Sequence, residues 1–279
     1  MKQIQAVRFM HIPKTAGTSV TECLIRMYGG RKVNFPLVGI IETDIKRYEA
    51  LTAKEKNKIL LATGHAPRWT DIPAIDSLSI ITFLREPVAR VQSFCQHVKE
   101  GKSPYLLNSF PPASFNLDEF IASGNYELSN LQVKMLSGFS GEINRENYAP
   151  HLAYAIQELR DSIVFFGLVE RYDESLMLMK LTFNWPWPTY RTLNQADKSC
   201  LIPFTDEQVE KIRELNFADL MLYEAAVKIF NSRVEKNRDE IATSLKIFVQ
   251  RQKLYGMYFK AAISVRFIIH RLVKPGHAT

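Results

Sequence analysis

Arg8-Phe9-Met10-His11-Ile12-Pro13-Lys14-Thr15-Ala16-Gly17-Thr18-Ser19 is the stretch on which the fold turns. Val7, Phe9 and Met10 make a short apolar strand that runs into a Pro-Lys-Thr-Ala-Gly-Thr-Ser turn. Beyond it Val20, Leu24 and Met27 recur on one helical face, and Gly29-Gly30 supply the stop. Strand, turn with a lysine and small hydroxylic residues, then helix: this order presents backbone N–H groups and a helix N-terminus to a phosphate. The loop is therefore expected to hold the 5′ end of an anionic nucleotide. Gly17 permits close backbone approach, Thr15, Thr18 and Ser19 offer hydroxyls, and Lys14 can reach an oxygen on the far side of the phosphate. It is not the loop of ATPases and GTPases, whose lysine directly follows a glycine; here Lys14 precedes Gly17.

Working outward, Ser77–Leu84 is continuous, apolar and β-branched, as a central strand of a parallel sheet should be. Arg85-Glu86-Pro87 follows, with Pro87 suited to a first helical position, and a helix runs on through Val88, Val91, Phe94, Cys95 and Val98. A short strand over 58–63 ends at Gly64-His65-Ala66-Pro67, and a further buried strand spans Ser162–Val169. Residues 31–50 carry no clean period and are expected to form an irregular loop. Strands that end in turns and feed helices favour an α/β fold, a P-loop-like parallel sheet flanked by helices. Thr205-Asp206-Glu207-Gln208 has capping-box spacing and opens a helical remainder. The expected division is a main domain over 1–240 and a helical C-terminal extension over 241–279. Within 257–273, Lys260, Arg266, His270 and Arg271 interrupt the apolar residues and oppose a membrane span. That helix is expected to pack on the domain or on another chain, with a basic membrane-surface helix as the alternative.

The 279 residues, 46% of them hydrophobic, suffice for one large core. A net charge of +7 suits a polyanionic cofactor or an acidic substrate. Nucleic acid is disfavoured as a partner, because the basic residues are dispersed among acidic ones and no zinc-finger spacing or RNA-binding signature occurs. Three cysteines, Cys23, Cys95 and Cys200, lie far apart without a CxxC pair, so reduced thiols are expected and neither a zinc site nor a disulfide framework. The N-terminus has no apolar leader and goes straight into the first strand, and no Asn-x-Ser/Thr sequon occurs, which points to a cytosolic protein.

Two further elements carry chemistry. Arg85 sits at a strand end, and Ser93, on the second turn of the following helix, can join it on one anion; the guanidinium fork donates two parallel hydrogen bonds to a phosphate. Taken alone, Arg85 would pair with Glu86 or another acid. His65 follows a glycine at the carboxyl end of a parallel strand, the edge where such sheets place their active sites. A general base that titrates near neutrality suits that place, although a lone histidine is more often structural.

Together these elements resemble the sulfotransferase family that uses 3′-phosphoadenosine 5′-phosphosulfate (PAPS), closest to the carbohydrate branch with heparan sulfate 2-O-sulfotransferase. The resemblance rests on His-Ile-Pro-Lys-Thr-Ala-Gly-Thr-Ser at 11–19, on Gly64-His65, and on Leu84-Arg85-Glu86-Pro87 with Arg90 and Ser93. It continues more weakly through Phe166-Gly167-Leu168-Val169-Glu170 and the loop from Arg191 to Lys198, to about residue 230. It implies that Lys14, Thr15, Gly17, Thr18 and Ser19 grip the 5′-phosphosulfate, and that Arg85 and Ser93 hold the 3′-phosphate. It also implies that His65 is the catalytic base, and that Arg191, Asn194 and Lys198 cover the adenosine side. Glu86 stands where the family more usually has aspartate.

Sulfuryl transfer, like phosphoryl transfer, is an in-line displacement at an already electrophilic centre. His65 would take the acceptor proton, and Lys14 with the loop amides would stabilise the leaving phosphate, without a metal. The expected acceptor is a hydroxyl on a carbohydrate or glycolipid. Two rivals are a nucleotide-dependent phosphotransferase, which would lack its Gly-Lys-Ser/Thr loop, and a non-catalytic binding protein on a nucleotide fold.

Overall fold

The computed structural model describes residues 5–30, 33–188 and 201–273, with 256–273 as backbone only. Val7–Met10, buried throughout, is strand β1, and the chain turns through Pro13–Ala16 into helix α1 (Gly17–Met27). Strand β2 (Asn34–Leu37) and helix α2 (Ile41–Glu49) follow, then α3 (Ala53–Lys56) behind a Thr52 capping box and strand β3 (Leu61–Gly64). Helix α4 (Pro73–Asp76) precedes β4 (Ser79–Leu84), and α5 (Pro87–Lys99) leaves it with Pro87 in its first turn. Helices α6 (Leu117–Ala122), α7 (Leu131–Ser137) and α8 (Tyr148–Gln157) lead to β5 (Ile163–Leu168) and α9 (Tyr172–Phe183). The described chain closes with α10 (Asp206–Leu215), which has the expected Thr205 capping box, α11 (Phe217–Lys236) and α12 (Arg238–Val273).

The five strands form one sheet in the order β2-β3-β1-β4-β5, every pair parallel. The expected α/β architecture is therefore present, a parallel sheet flanked by helices. From β1 the chain goes to the edge strand β2, returns to β3 beside β1, then crosses to β4 and β5 on the other side, so the connections leaving β1 and β4 diverge and mark the switch point at which such sheets open a crevice. Met10 lies opposite Gly64 of β3 and Thr82 of β4, so the turns after all three strands leave the same edge.

The expected irregular loop over 31–50 is corrected by β2 and α2. Pro36 suppressed the strand signal, and a proline is tolerated here because β2 is an edge strand. Ile45 and Tyr48 of α2 pack against Phe35 and Leu37, and the buried Asp44 carboxylate accepts from the Val38 and Gly39 N–H groups at 2.9 and 3.0 Å.

The main core joins Phe9, Met10, Ile81, Phe83, Phe165 and Phe166 of the sheet to Leu176, Leu222 and Phe230 of the helices. Ile241 and Phe248 of α12 belong to this same core, and the division expected after residue 240 falls within the first turn of that helix. Residues 257–273 are helical as the end of α12. Among the described residues no helix is long and apolar enough to cross a membrane. Cys23 and Cys95 are buried, and burial raises the Cys95 thiol to about 12; Cys200 lies outside the described residues.

Candidate functional site

The turn after β1 is built with strain. Lys14 (φ 69°) and Ala16 (φ 62°) both occupy the left-handed region, on either side of Thr15. Left-handed non-glycine residues are uncommon and cost roughly 1–2 kcal/mol each. Alternating hands along a backbone turn successive N–H groups toward one point, the arrangement of an anion-binding nest. Ala16 at the N-cap has no side chain to cap α1, and the first turn bears Thr18, exposed, and Ser19, half-buried. Thr15 departs from expectation. Its side chain is fully buried and its hydroxyl donates to the Ile12 carbonyl at 2.8 Å, so it braces the turn instead of facing a ligand.

Gly17 has a specific reason to be glycine. A Cβ built on it would lie 1.7 Å from His11 Nε2. The His11 imidazole occupies that space, stacked on Phe9 with ring centroids 5.6 Å apart. Burial, with help from His65 and Lys14, lowers its pKa to about 3, so His11 is a neutral packing group. Gly17→Ala is expected to cost at least about 1–3 kcal/mol in chemical denaturation, the usual range for overpacking, and to abolish nucleotide binding by displacing the turn. Wild-type stability and binding in that variant would overturn this account of the turn.

His65 follows β3 and sits against the same histidine, ring centroids 4.1 Å apart. Its Nδ1 lies 3.0 Å from the His11 carbonyl oxygen. A carbonyl only accepts, so Nδ1 carries the proton and Nε2 keeps its lone pair. Desolvation in the crowded turn outweighs the His11 hydrogen bond and the Glu127 charge, and holds the imidazole below its ordinary range although its outer edge is exposed. The segment after His65 is tied down by charges that sequence reading passed over. Arg8, fully buried in β1, donates to the Arg68 carbonyl (2.8 Å), to Asp76 (2.9 Å) and to the Pro67 carbonyl. Arg68 in turn pairs with Glu158. Gly64 must also lack a side chain, because a Cβ there would lie 1.9 Å from the Leu37 carbonyl oxygen of β2.

Arg85 leaves the end of β4 and bends back over the first turn, its Nη1 donating to the Lys14 carbonyl at 3.2 Å. Its buried Nε has no hydrogen-bond partner among the described residues. An acceptor is what that nitrogen lacks, while Glu170 and Glu86 lie near enough to favour the charged guanidinium. Glu86 caps α5 by accepting from the Ala89 N–H at 2.7 Å, and its own N–H donates to Glu170 beyond β5 at 3.0 Å. The acid that departs from the usual aspartate thus has a structural task. Ser93 is half-buried on the second turn of α5. Lys14 is depressed to about 8 by desolvation first and by the Arg85 charge second. Arg191, Asn194 and Lys198 lie outside the described residues. Among those described, no group of three His, Cys, Asp or Glu side chains is arranged to hold a metal ion.

The three turns thus bring Lys14, His65 and Arg85 to one sheet edge, with a nest-like turn, a neutral imidazole and a guanidinium nitrogen short of an acceptor. Among curated proteins, heparan-sulfate 6-O-sulfotransferase 3 of Mus musculus is 28% identical over 203 residues, 62% of this chain and 43% of that one. Heparan-sulfate 6-O-sulfotransferase 2 of Mus musculus is 27% identical over 90% of this chain and 48% of its own length. Heparan-sulfate 6-O-sulfotransferase 1 of Homo sapiens is 25% identical over 85% of this chain and 68% of its own length. The chain spans less than half the length of the first two. Among solved structures, mouse sulfotransferase SULT7A1 complexed with PAP matches 89% of this chain with 90% of its own, at 12% identity and a TM-score of 0.40. No protein-family model matches. The likeness to carbohydrate sulfotransferases carried by the motifs at 11–19, 64–65 and 84–93 is met by relatives of that name; they are 6-O enzymes, where the motifs alone resemble the 2-O branch.

Proposed function

We propose that this chain transfers the sulfuryl group of PAPS to a hydroxyl of a carbohydrate acceptor, with His65 as the base. The observation that carries the proposal is the juxtaposition of Lys14 and Arg85 beside a histidine whose Nδ1–H is engaged and whose Nε2 is unprotonated. The donor fits the residues present: a buried guanidinium nitrogen lacks a partner, and the turn at 14–16 has the backbone of an anion nest.

In this assignment Lys14, Gly17, Thr18 and Ser19 hold the 5′-phosphosulfate, Arg85 and Ser93 hold the 3′-phosphate, and Thr15 supports the turn from below. PAPS supplies an activated sulfuryl group whose departure leaves adenosine 3′,5′-bisphosphate (PAP). His65 Nε2 takes the proton from the acceptor hydroxyl, and the Nδ1 bond to the His11 carbonyl fixes the ring while it does so. Lys14 Nζ, positively charged below its pKa of about 8, neutralises charge gathering on the leaving phosphate. No step in this chemistry calls for a metal ion. The names of the curated relatives support a heparan-sulfate-like polysaccharide as the acceptor class.

The test is thermal denaturation with PAP against ATP and magnesium. At about 100 times Kd, PAP should stabilise the fold by about 2.7 kcal/mol, a rise of roughly 5 °C in Tm. A larger shift with ATP would overturn the assignment in favour of phosphotransfer.

A further inference from the structure

We propose that Gln132 is a positioning residue for the Arg85 anion site: it clamps the Arg85 backbone so that the guanidinium is presented to the 3′-phosphate of the donor. This rests on the assignment of Arg85 as the 3′-phosphate ligand.

Strand β4 ends at Leu84, so Arg85 leaves the sheet with a backbone N–H and C=O that no neighbouring strand serves. Gln132 serves both. Its Oε1 accepts from the Arg85 N–H at 3.0 Å, and its Nε2 donates to the Arg85 carbonyl at 2.9 Å. A carboxamide has a donor and an acceptor side by side, so Gln132 takes the part of a peptide group on an adjacent strand. Its side chain is fully buried and contributes to no other described hydrogen bond. The clamp is itself held. Both oxygens of the buried Asp219 on α11 accept from the start of α7, from the Gln132 N–H at 3.0 Å and the Val133 N–H at 2.8 Å. Asn130 Oδ1 accepts in return from the Ala218 and Asp219 N–H groups at 2.9 and 3.2 Å, so the first turns of α7 and α11 lock one another. From this fixed backbone the Arg85 side chain reaches the Lys14 carbonyl and leaves its Nε unpartnered among the described residues. Gln132 therefore acts through Arg85, not on the nucleotide.

Adenosine 5′-monophosphate shares the 5′-phosphate of PAP and lacks the 3′-phosphate, so the pair isolates the Arg85 site. Calorimetric Kd values for both nucleotides should be measured on the wild-type protein, Gln132→Met and Gln132→Glu. The wild type should prefer PAP. Gln132→Met removes both hydrogen bonds and should weaken PAP by about tenfold or more while changing the monophosphate by less than about twofold. Gln132→Glu keeps the acceptor and loses the donor, so its preference should fall between the two. An equal loss for both nucleotides, or an unchanged preference, would overturn the positioning role. If Gln132→Met does not fold, Gln132→Glu, of nearly the same shape, decides the question alone. A wild-type protein with no preference for PAP would instead sink the assignment of Arg85, a result visible before any variant is made.

Discussion

Lys14→Ala is expected to lower kcat/KM for sulfuryl transfer by about a hundredfold or more, the effect of removing one well-aimed donor from a developing charge, about 3 kcal/mol. The ammonium belongs to a turn that is strained to present it, with φ of 69° at Lys14 itself. Its value as a donor depends on its charge, and that charge is precarious. Desolvation, and then the Arg85 guanidinium, bring its pKa down to about 8. In the proposed role the protonated form is the active one, so kcat/KM at low PAPS, which reports the free enzyme, should fall as pH rises through about 8. Lys14→Arg keeps a charge throughout this range and should lack that alkaline fall, even with an altered maximum, because the guanidinium is a different shape. A Lys14→Ala enzyme that turns over labelled PAPS at the wild-type rate would remove Lys14 from the mechanism.

The second large effect is expected at His65. Asparagine is the informative replacement, because its amide can donate to the His11 carbonyl as Nδ1 does while offering no base in place of Nε2. His65→Asn should reduce turnover by about 10²–10⁴-fold, the typical worth of a positioned general base. Affinity for PAP should be unchanged, since no phosphate contact is assigned to this ring. The sign of the pH dependence follows from the same hydrogen bond. Desolvation, the largest influence, lowers the His65 pKa, so the neutral form persists to lower pH than in a free imidazole. Activity should be lost only as pH falls below about 6.5, the ordinary histidine value, and the acid limb should vanish in the variant. Wild-type turnover in His65→Asn would assign the base elsewhere.

How much of this was legible beforehand depends on where each signal is stored. The buried strands β1, β4 and β5 declare themselves because a strand covered on both faces is largely apolar: Val7–Met10 is so apart from Arg8, and Ser79–Leu84 apart from Ser79 and Thr82. The turns that follow declare themselves too, since Lys14, Gly17, Gly64, His65 and Arg85 are adjacent in sequence to the strands that aim them. Strand β2 and helix α2 escaped notice because Pro36 contradicts a strand everywhere except at a sheet edge, and only the assembled sheet makes that edge.

What sequence by itself determined is four of the five strands, their carboxyl edge and the three residues that gather there. Only tertiary structure decided how those residues are held and which way they face. Thr15 turns inward to Ile12, Gly17 makes room for the His11 ring, and His11 fixes the His65 tautomer. Arg85 and Glu86 are held by Gln132 and Glu170, 47 and 84 residues away. Apolar periodicity records which face of an element is buried, and it is local. A buried polar side chain records only that it needs a partner, and packing alone supplies that partner from any distance along the chain.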